Sequence, residues 1–432
     1  YTGNNMKRGT PMKKRIILIA LLFCVIFASV KVFALEKAEN ADTVEAVYLK
    51  VNGRLLSDWY LKSAPLIVND CTVVPLRSVM EYMGCKVEWS EKDASVKVEG
   101  SGFTALFKVG SDEYTLNGEK KTLPCEVKKY FEDDYAGIVY VSVRVMQDLF
   151  SAKIGYEEDK FIPSVGVCTE SADYSVKVGD YFVKLGETTD ELRFFCKEPS
   201  YKITGENGLK WYVYSDYYTA LLAVATDGGI VCGFYTDSPY FETSDGLKYG
   251  DKINSGEKEY ETQRKDGVAI SKFNEKSENY LYGVMYLAEG YDNSGFFDMN
   301  YLLSQQSRLG TDILNSFRYR KGKNVLLHDE NAAQSCVGHA KYMSETENLT
   351  HTGEYSSTGI QRYLYYNPGY KWTSWGENIC AGAKNVFICM NGWRNSERHR
   401  KIMLSDNSFA GLGMYYDGNS KYKYTAAMLI FK

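Results

Sequence analysis

Twenty residues from Val74 to Asp93, VPLRSVMEYMGCKVEWSEKD, align without a gap on Val141 to Lys160, VSVRVMQDLFSAKIGYEEDK, at an offset of 67 residues. Arg77 meets Arg144, Glu81 meets Asp148, Lys86 meets Lys153, Val87 meets Ile154 and Trp89 meets Tyr156. Upstream, Val51-Asn52-Gly53 is echoed by Leu116-Asn117-Gly118. Each copy reads as a strand, a two-turn helix and a second strand. Pro75 ends the first strand, Gly84 suits the position after a helix, and Cys85, Val87 and Trp89 alternate with Lys86 and Glu88. One such unit has an apolar face and nothing to bury it against, so two copies are expected to share a core in one domain of about 115 residues. Arg77 and Arg144 are candidates for holding anionic envelope groups, but the favoured expectation is that each pairs with the acid four residues on.

The Asn-Gly hairpin, the Val-Pro-Leu-Arg helix start, Gly84 and the Val87-x-Trp89 strand resemble the copper amine oxidase N-terminal-like domain over 47–165. That resemblance implies a non-catalytic module. In copper amine oxidases the chemistry lies in a separate domain with three His ligands and a modified Tyr in an Asn-Tyr-Asp/Glu context. Here Asn300-Tyr301 is followed by Leu302, and all four His lie beyond residue 327, so amine oxidation is not expected.

At 432 residues the chain has room for about three domains. Its 51 Lys+Arg against 55 Asp+Glu argue against a nucleic-acid partner, and 44% apolar residues argue against disorder. Lys13, Lys14 and Arg15 precede the apolar run Ile16 to Phe27 and a Val32-x-Ala34 site. This reads as a secretory signal peptide over 12–34, starting at Met12 and cleaved after Ala34. The run is short for a membrane span. The expected location is therefore extracellular, with the cell wall a candidate place of attachment. Nine cysteines follow Cys24 without a CxxC pair or zinc-ribbon spacing. No disulfide is expected, and Cys85, Cys232 and Cys336 read as small core residues.

From Tyr174 the pattern changes. Lys177-Val178-Gly179-Asp180 is followed by a helical stretch, Thr189 to Cys196, and by apolar strands 211–214, 220–226 and 230–236, the last two joined through Asp227-Gly228-Gly229. These residues resemble the CAP-associated N-terminal domain, placed over 173–300, with a weaker second copy from Lys248-Tyr249-Gly250-Asp251. No catalytic constellation lies there.

The last third holds every His. Leu302, Leu309, Ile313 and Phe317 recur at helical spacing. Asp329 is placed to cap a second helix with the stripe Ala333, Cys336, Val337, Ala340 and Met343, and Val386, Cys389, Met390 and Trp393 mark a third. Strands 410–416 and 424–431 close the segment. Helices flanking late antiparallel strands predict an α/β/α layered domain over 301–432.

The ordered run Asn315-x-x-Arg318, His339-Ala340-x-x-Met343, His351-Thr352-Gly353, Gly376-Glu377-Asn378-Ile379, Trp393-x-Asn395-Ser396-x-x-His399-Arg400 and Gly411-x-Gly413 is similar to the bacterial branch of the CAP superfamily (cysteine-rich secretory proteins, antigen 5, pathogenesis-related 1). The fold class expected is α+β multidomain, with a C-terminal α/β/α sandwich of CAP type preceded by small α+β repeat modules. The resemblance implies a cleft lined by two His and one or two Glu. Carried over by motif these are His351, Glu377 and His399, and the second Glu of the animal-type pattern is Ser396 here.

Two imidazoles and a carboxylate from separate segments suit a divalent cation, zinc or another, with a position open to water or ligand. They equally suit a metal-free network in which Glu377 orients one imidazole. No H-E-x-x-H motif or spare carboxylate offers a general base beside a metal-bound water. Ser396 with His399 is a conceivable nucleophile pair, although Ser396 is better placed as the N-cap of a helix opening at Glu397. His328 and His339 read as structural or exposed, and the basic run Arg394, Arg398, Arg400, Lys401 as a solvated helix face. The expected function is binding of a cell-envelope component, a lipid or a protein in this cleft. A secreted metal-dependent or serine hydrolase is the enzymatic alternative, and an adhesive spacer built on the repeated modules is the structural one.

Overall fold

The computed structural model describes residues 44–130, 137–158, 162–254 and 256–432. The expected signal peptide at 12–34 lies outside them. The chain divides into two compact units, one holding 55–152 and the other 166–432, with short pieces of 44–54 and 153–165 shared out between them.

In the first unit the repeat explains the topology. Strands Cys71–Pro75 and Ile138–Ser142 are equivalent segments of the two copies, and they pair antiparallel with Val74 directly opposite Val141. Each strand runs into a short helix, Leu76–Tyr82 or Val145–Phe150, and the matching positions Ser78 and Val79 in one and Val145 and Met146 in the other are buried. A second antiparallel sheet is a succession of hairpins from Lys86–Ser90 to Glu119–Thr122. Arg77 pairs with Glu81 at 3.2 Å and also donates to the Val87 carbonyl. In the second copy Asp148 instead accepts from the Tyr114 hydroxyl at 2.6 Å.

One expectation is corrected here. Cys71 and Cys125 form a disulfide. Its cysteines are 54 residues apart and meet only through the folded sheet, so no local spacing announces the bond.

In the second unit helix Thr189–Cys196 opens on a reciprocal capping box between Thr188 and Glu191. Strands Leu222–Asp227 and Ile230–Thr236 turn through Gly228 and Gly229, both at positive φ. They lie inside a seven-stranded antiparallel sheet running from Tyr201–Thr204 at one edge to Tyr260–Lys265 at the other. Its central strands are buried on both faces. Tyr212, Tyr214, Val224 and Phe234 join one core with Leu192, and Trp211, Val213 and Tyr235 join another with residues beyond 301. Phe387 packs on Trp211 and Tyr235 with ring centroids 5.4 and 4.4 Å away, contacts of about 0.5–1.5 kcal/mol each beyond area burial. The boundary expected near residue 300 is thus crossed by a shared apolar core.

The last third forms three layers. Strands β1 (Leu327–His328), β2 (Trp375–Ala381), β3 (Phe409–Tyr416) and β4 (Tyr424–Phe431) make a sheet in the order β1-β3-β4-β2, with β1 and β3 parallel and the other neighbours antiparallel. The helices are α1 (Ser307–Arg320), α2 (Glu330–Glu345), α3 (Gly359–Tyr366), α4 (Val386–Asn395) and α5 (Glu397–Met403). Along β4, Ala426, Met428 and Ile430 share a core with Ile313 and Phe317 of α1 and Val386 and Trp393 of α4. Ala427, Leu429 and Phe431 share the opposite core with Ala332, Cys336 and Met343 of α2 and Tyr363 of α3. This is the α/β/α sandwich that helices flanking late strands predict. Asp329 caps α2 by accepting from the Ala332 N–H at 2.8 Å. A Cβ on Gly411 or Gly413 would lie 2.3 or 2.1 Å from the backbone nitrogen of Ala333 or Val337, so α2 rests directly on β3 at these residues.

The basic run at 394–401 is not a uniformly solvated face. Arg394 is buried, and its Nε donates to Glu275 at 2.6 Å while its guanidinium lies 3.6 Å from the Tyr282 ring centroid. Arg400 reaches the same carboxylate at 3.7 Å, whereas Arg398 and Lys401 are exposed. Helical spacing alone does not reveal that a sheet from an earlier segment covers the Arg394 side of α4. Among the described residues no helix is long and apolar enough to cross a membrane.

Candidate functional site

Four elements of the sandwich bring the site together. β2 presents Glu377, whose side chain is only 3% exposed, from a position opposite Leu429 on the central strand. The segment after α2 carries His351, with its side chain 58% exposed. α3 supplies Arg362, and α5 supplies His399. The start of α3 is a glycine for a reason: a Cβ on Gly359 would stand 2.8 Å from Glu377 Oε1.

Glu377 is the hub. Its Oε2 accepts from His351 Nδ1 at 3.0 Å, and its Oε1 accepts from the Arg362 guanidinium. Arg362 also donates to the Ser357 carbonyl at 2.7 Å and the His351 carbonyl at 3.2 Å, so one side chain ties the loop 351–357 to the buried carboxylate. The carboxylate oxygen accepts here, so His351 Nδ1 carries the proton of this bond.

His339, expected as a structural or exposed helix residue, is buried beside the same carboxylate. Its side chain is fully buried and its Nε2 lies 3.9 Å from Glu377 Oε2. Nε2 donates to the Thr350 carbonyl at 2.9 Å and the buried Nδ1 has no partner. Burial, with the Arg362 charge added, pushes its pKa down to about 4. The signal was present in the sequence, since position 339 is three residues after Cys336 and four before Met343, on the buried stripe of α2. Arg362 gave less warning. It sits on a helix announced only by the Thr358/Gln361 capping box, between two recognisable motifs.

His399 is half-buried on α5, and its carbonyl accepts from Asn378 Nδ2 at 3.2 Å. Its Nδ1 is buried without a partner. Burial first, then the neighbouring His351, lowers its pKa. Ser396 occupies the N-cap position of α5, as expected, yet its hydroxyl makes no capping bond to that helix. His328 lies apart and is structural: its Nδ1 bonds the Thr311 hydroxyl at 3.0 Å.

The arrangement does not fit a divalent cation held by His351, Glu377 and His399. Among the described residues no group of three or more His, Cys, Asp or Glu side chains is placed to hold a metal. Moreover, a guanidinium already neutralises Glu377, the carboxylate a metal would need. What the geometry offers is a carboxylate-oriented imidazole at the surface, fixed through Nδ1 and able to hydrogen-bond a ligand through Nε2.

Comparisons with known proteins agree with this architecture at both ends of the chain. Residues 50–163 match the copper amine oxidase N-terminal domain, and residues 311–431 match the cysteine-rich secretory protein family, CAP. A protein described as a protease inhibitor from Brevibacillus choshinensis is 25% identical over 136 residues, 31% of this chain and 37% of that protein. The chain thus spans little more than a third of that relative. Among solved structures, an extracellular protein containing an SCP domain from Bacillus anthracis aligns with a TM-score of 0.46 and 18% identity over 57% of this chain and 94% of that one. A cysteine-rich secretory protein from Staphylococcus aureus aligns with a TM-score of 0.42 and 14% identity over 57% of this chain and 91% of that one.

Proposed function

We propose that this chain, which carries a CAP domain in its last third and a copper amine oxidase N-terminal domain near its start, is an extracellular protein that binds a cell-envelope ligand at the His351–Glu377 cleft. The observation that carries the reading is the buried carboxylate of Glu377 fixing the exposed His351 ring by its Nδ1. An imidazole fixed through one ring nitrogen presents the other to the hydrogen-bonding groups of a ligand. Exposed rings stand on the same segments: Tyr355 in the loop after His351, and Tyr365 on α3 three residues past Arg362. Such rings suit stacking on sugar faces, and they favour a wall glycan over a lipid or a protein. The signal-peptide pattern at 12–34 supports export.

The test is co-sedimentation of the purified chain with insoluble cell-wall glycan. The double variant His351→Ala, His399→Ala should weaken binding at least tenfold, about 1.4 kcal/mol, with an unchanged circular dichroism spectrum. Unaltered binding by the variant refutes the cleft assignment. One observation favours the hydrolase as a second reading: the Ser396 hydroxyl is not engaged as a cap, and Glu377–His351 has the form of the orienting half of a base–nucleophile arrangement. Turnover of ester or peptide substrates that disappears in Ser396→Ala would replace binding with catalysis.

A further inference from the structure

Among the described residues seven cysteines carry free thiols. Four of them, Cys168, Cys196, Cys232 and Cys336, place their sulfurs 3.3–3.5 Å from backbone carbonyls. Cys380 and Cys389 are arranged differently: their sulfurs face each other at 3.0 Å. Both stand on fixed backbone of one compact unit. Cys380 is held in β2 opposite Ala426, and Cys389 lies in α4, whose N-terminus is capped by Asn385. A movement of about half an ångström by each sulfur gives the ~2.05 Å separation of a disulfide.

We propose that Cys380 and Cys389 are a redox pair that closes into a second disulfide by exchange with an external disulfide, a small thiol's oxidised dimer or an exported oxidoreductase. Cys380 is half-exposed and Cys389 buried, so the order of events is set by access. The Cys380 thiolate attacks one sulfur of the external R–S–S–R, breaking that bond, forming a mixed disulfide and releasing RS⁻. The Cys389 thiolate then attacks Cys380 Sγ, breaking the mixed bond, forming the internal disulfide and releasing the second RS⁻. Two protein thiols are oxidised and one external disulfide is reduced to two thiols. The protein's two protons end on the departing thiolates. Burial holds the Cys389 thiol strongly protonated, which reserves the first attack for Cys380. The bond would tie the strand carrying Glu377 to the helix that leads into His399. It does not depend on what the cleft binds.

Trypsin makes the test direct, because cleavage after Lys371, Lys384 and Arg394 puts the two cysteines on separate peptides, 372–384 and 385–394. The purified full chain is equilibrated with oxidised glutathione or with dithiothreitol, quenched in acid, alkylated unfolded, and digested without reduction. After glutathione the two peptides should be recovered joined and lighter by two hydrogens than their sum. After dithiothreitol both should be separately alkylated. In Cys389→Ser, Cys380 should stop at the glutathione adduct. The proposal is overturned if both peptides stay separately alkylated after oxidation, if Cys380 keeps its glutathione in the unaltered chain, or if either cysteine pairs elsewhere. All three outcomes are read in the unaltered chain, so they do not depend on a variant folding.

Discussion

His339 makes the second unit acid-sensitive by an amount that follows from its surroundings. Its Nε2–H is committed to the Thr350 carbonyl, so a second proton must go to Nδ1, which is buried and has no acceptor. This matches a pKa lowered from 6.5 to about 4. Above about pH 6.5 the imidazole is neutral in both folded and unfolded chains and favours neither. As pH falls from there towards about 4, the unfolded chain takes up a proton that the folded one refuses. Stability is therefore lost on acidification, by about 1.4 kcal/mol per pH unit, levelling off at about 3 kcal/mol below pH 4. For a unit of this size that loss is roughly 6–12 °C of melting temperature. His339→Gln keeps a donor for the Thr350 carbonyl and removes the titration. Between pH 7 and 4 the unaltered protein should therefore lose about that much more melting temperature than the variant, read by near-ultraviolet circular dichroism. Carboxylates elsewhere act equally on both chains and cancel in the comparison. Parallel decline of the two proteins, or an NMR titration of His339 with a midpoint near 6.5, refutes the reasoning.

Three further outcomes are expected. Gly413→Ala puts a methyl 2.1 Å from the Val337 nitrogen, a backbone atom that moves only with α2, and should cost about 3 kcal/mol or more in urea unfolding. Arg394→Ala leaves the buried Glu275 with only the 3.7 Å approach of Arg400 and the Ser277 hydroxyl, and should destabilise the second unit by about 3 kcal/mol, seen as a lower unfolding midpoint at pH 7; a loss under 1 kcal/mol, the size of an exposed pair, contradicts the burial described. Replacing Cys71 and Cys125 by Ser frees a loop of 54 residues and should lower the stability of the first unit by about 4 kcal/mol, with the transition of the second unit unmoved.

The parts of this molecule legible in the sequence are those whose cause is local. The repeat predicts a core shared by its two copies, because each has an apolar face with nothing of its own to bury it; the equivalent strands 71–75 and 138–142 pair there, with Val74 opposite Val141. Helices flanking the late apolar strands predict the sandwich, because each face of those strands needs its own helices, and β4 does divide its side chains between two helical layers. Motif order leads to His351 and Glu377, which the structure brings into contact. What escapes is whatever depends on a distant partner. Cys125 looks isolated until the sheet folds, Arg394 looks solvated until the seven-stranded sheet covers it, and Arg362 has no meaning until α3 lies against β2. Two-sided burial of Trp211 to Tyr214 is likewise visible only as a solid apolar run, which does not say that its other neighbour is the CAP helices.

The strand order of the sandwich has a kinetic side. The central position belongs to β4, residues 424–431, with β3 on one edge of it and β2 on the other. A chain emerging amino end first, from a ribosome or a translocation pore, delivers β2 and β3 before the strand that joins them. Until residue 431 is free, β2 and its Glu377 have no partner strand to hold them. The surroundings of Glu377 are therefore completed only with the last strand of the chain.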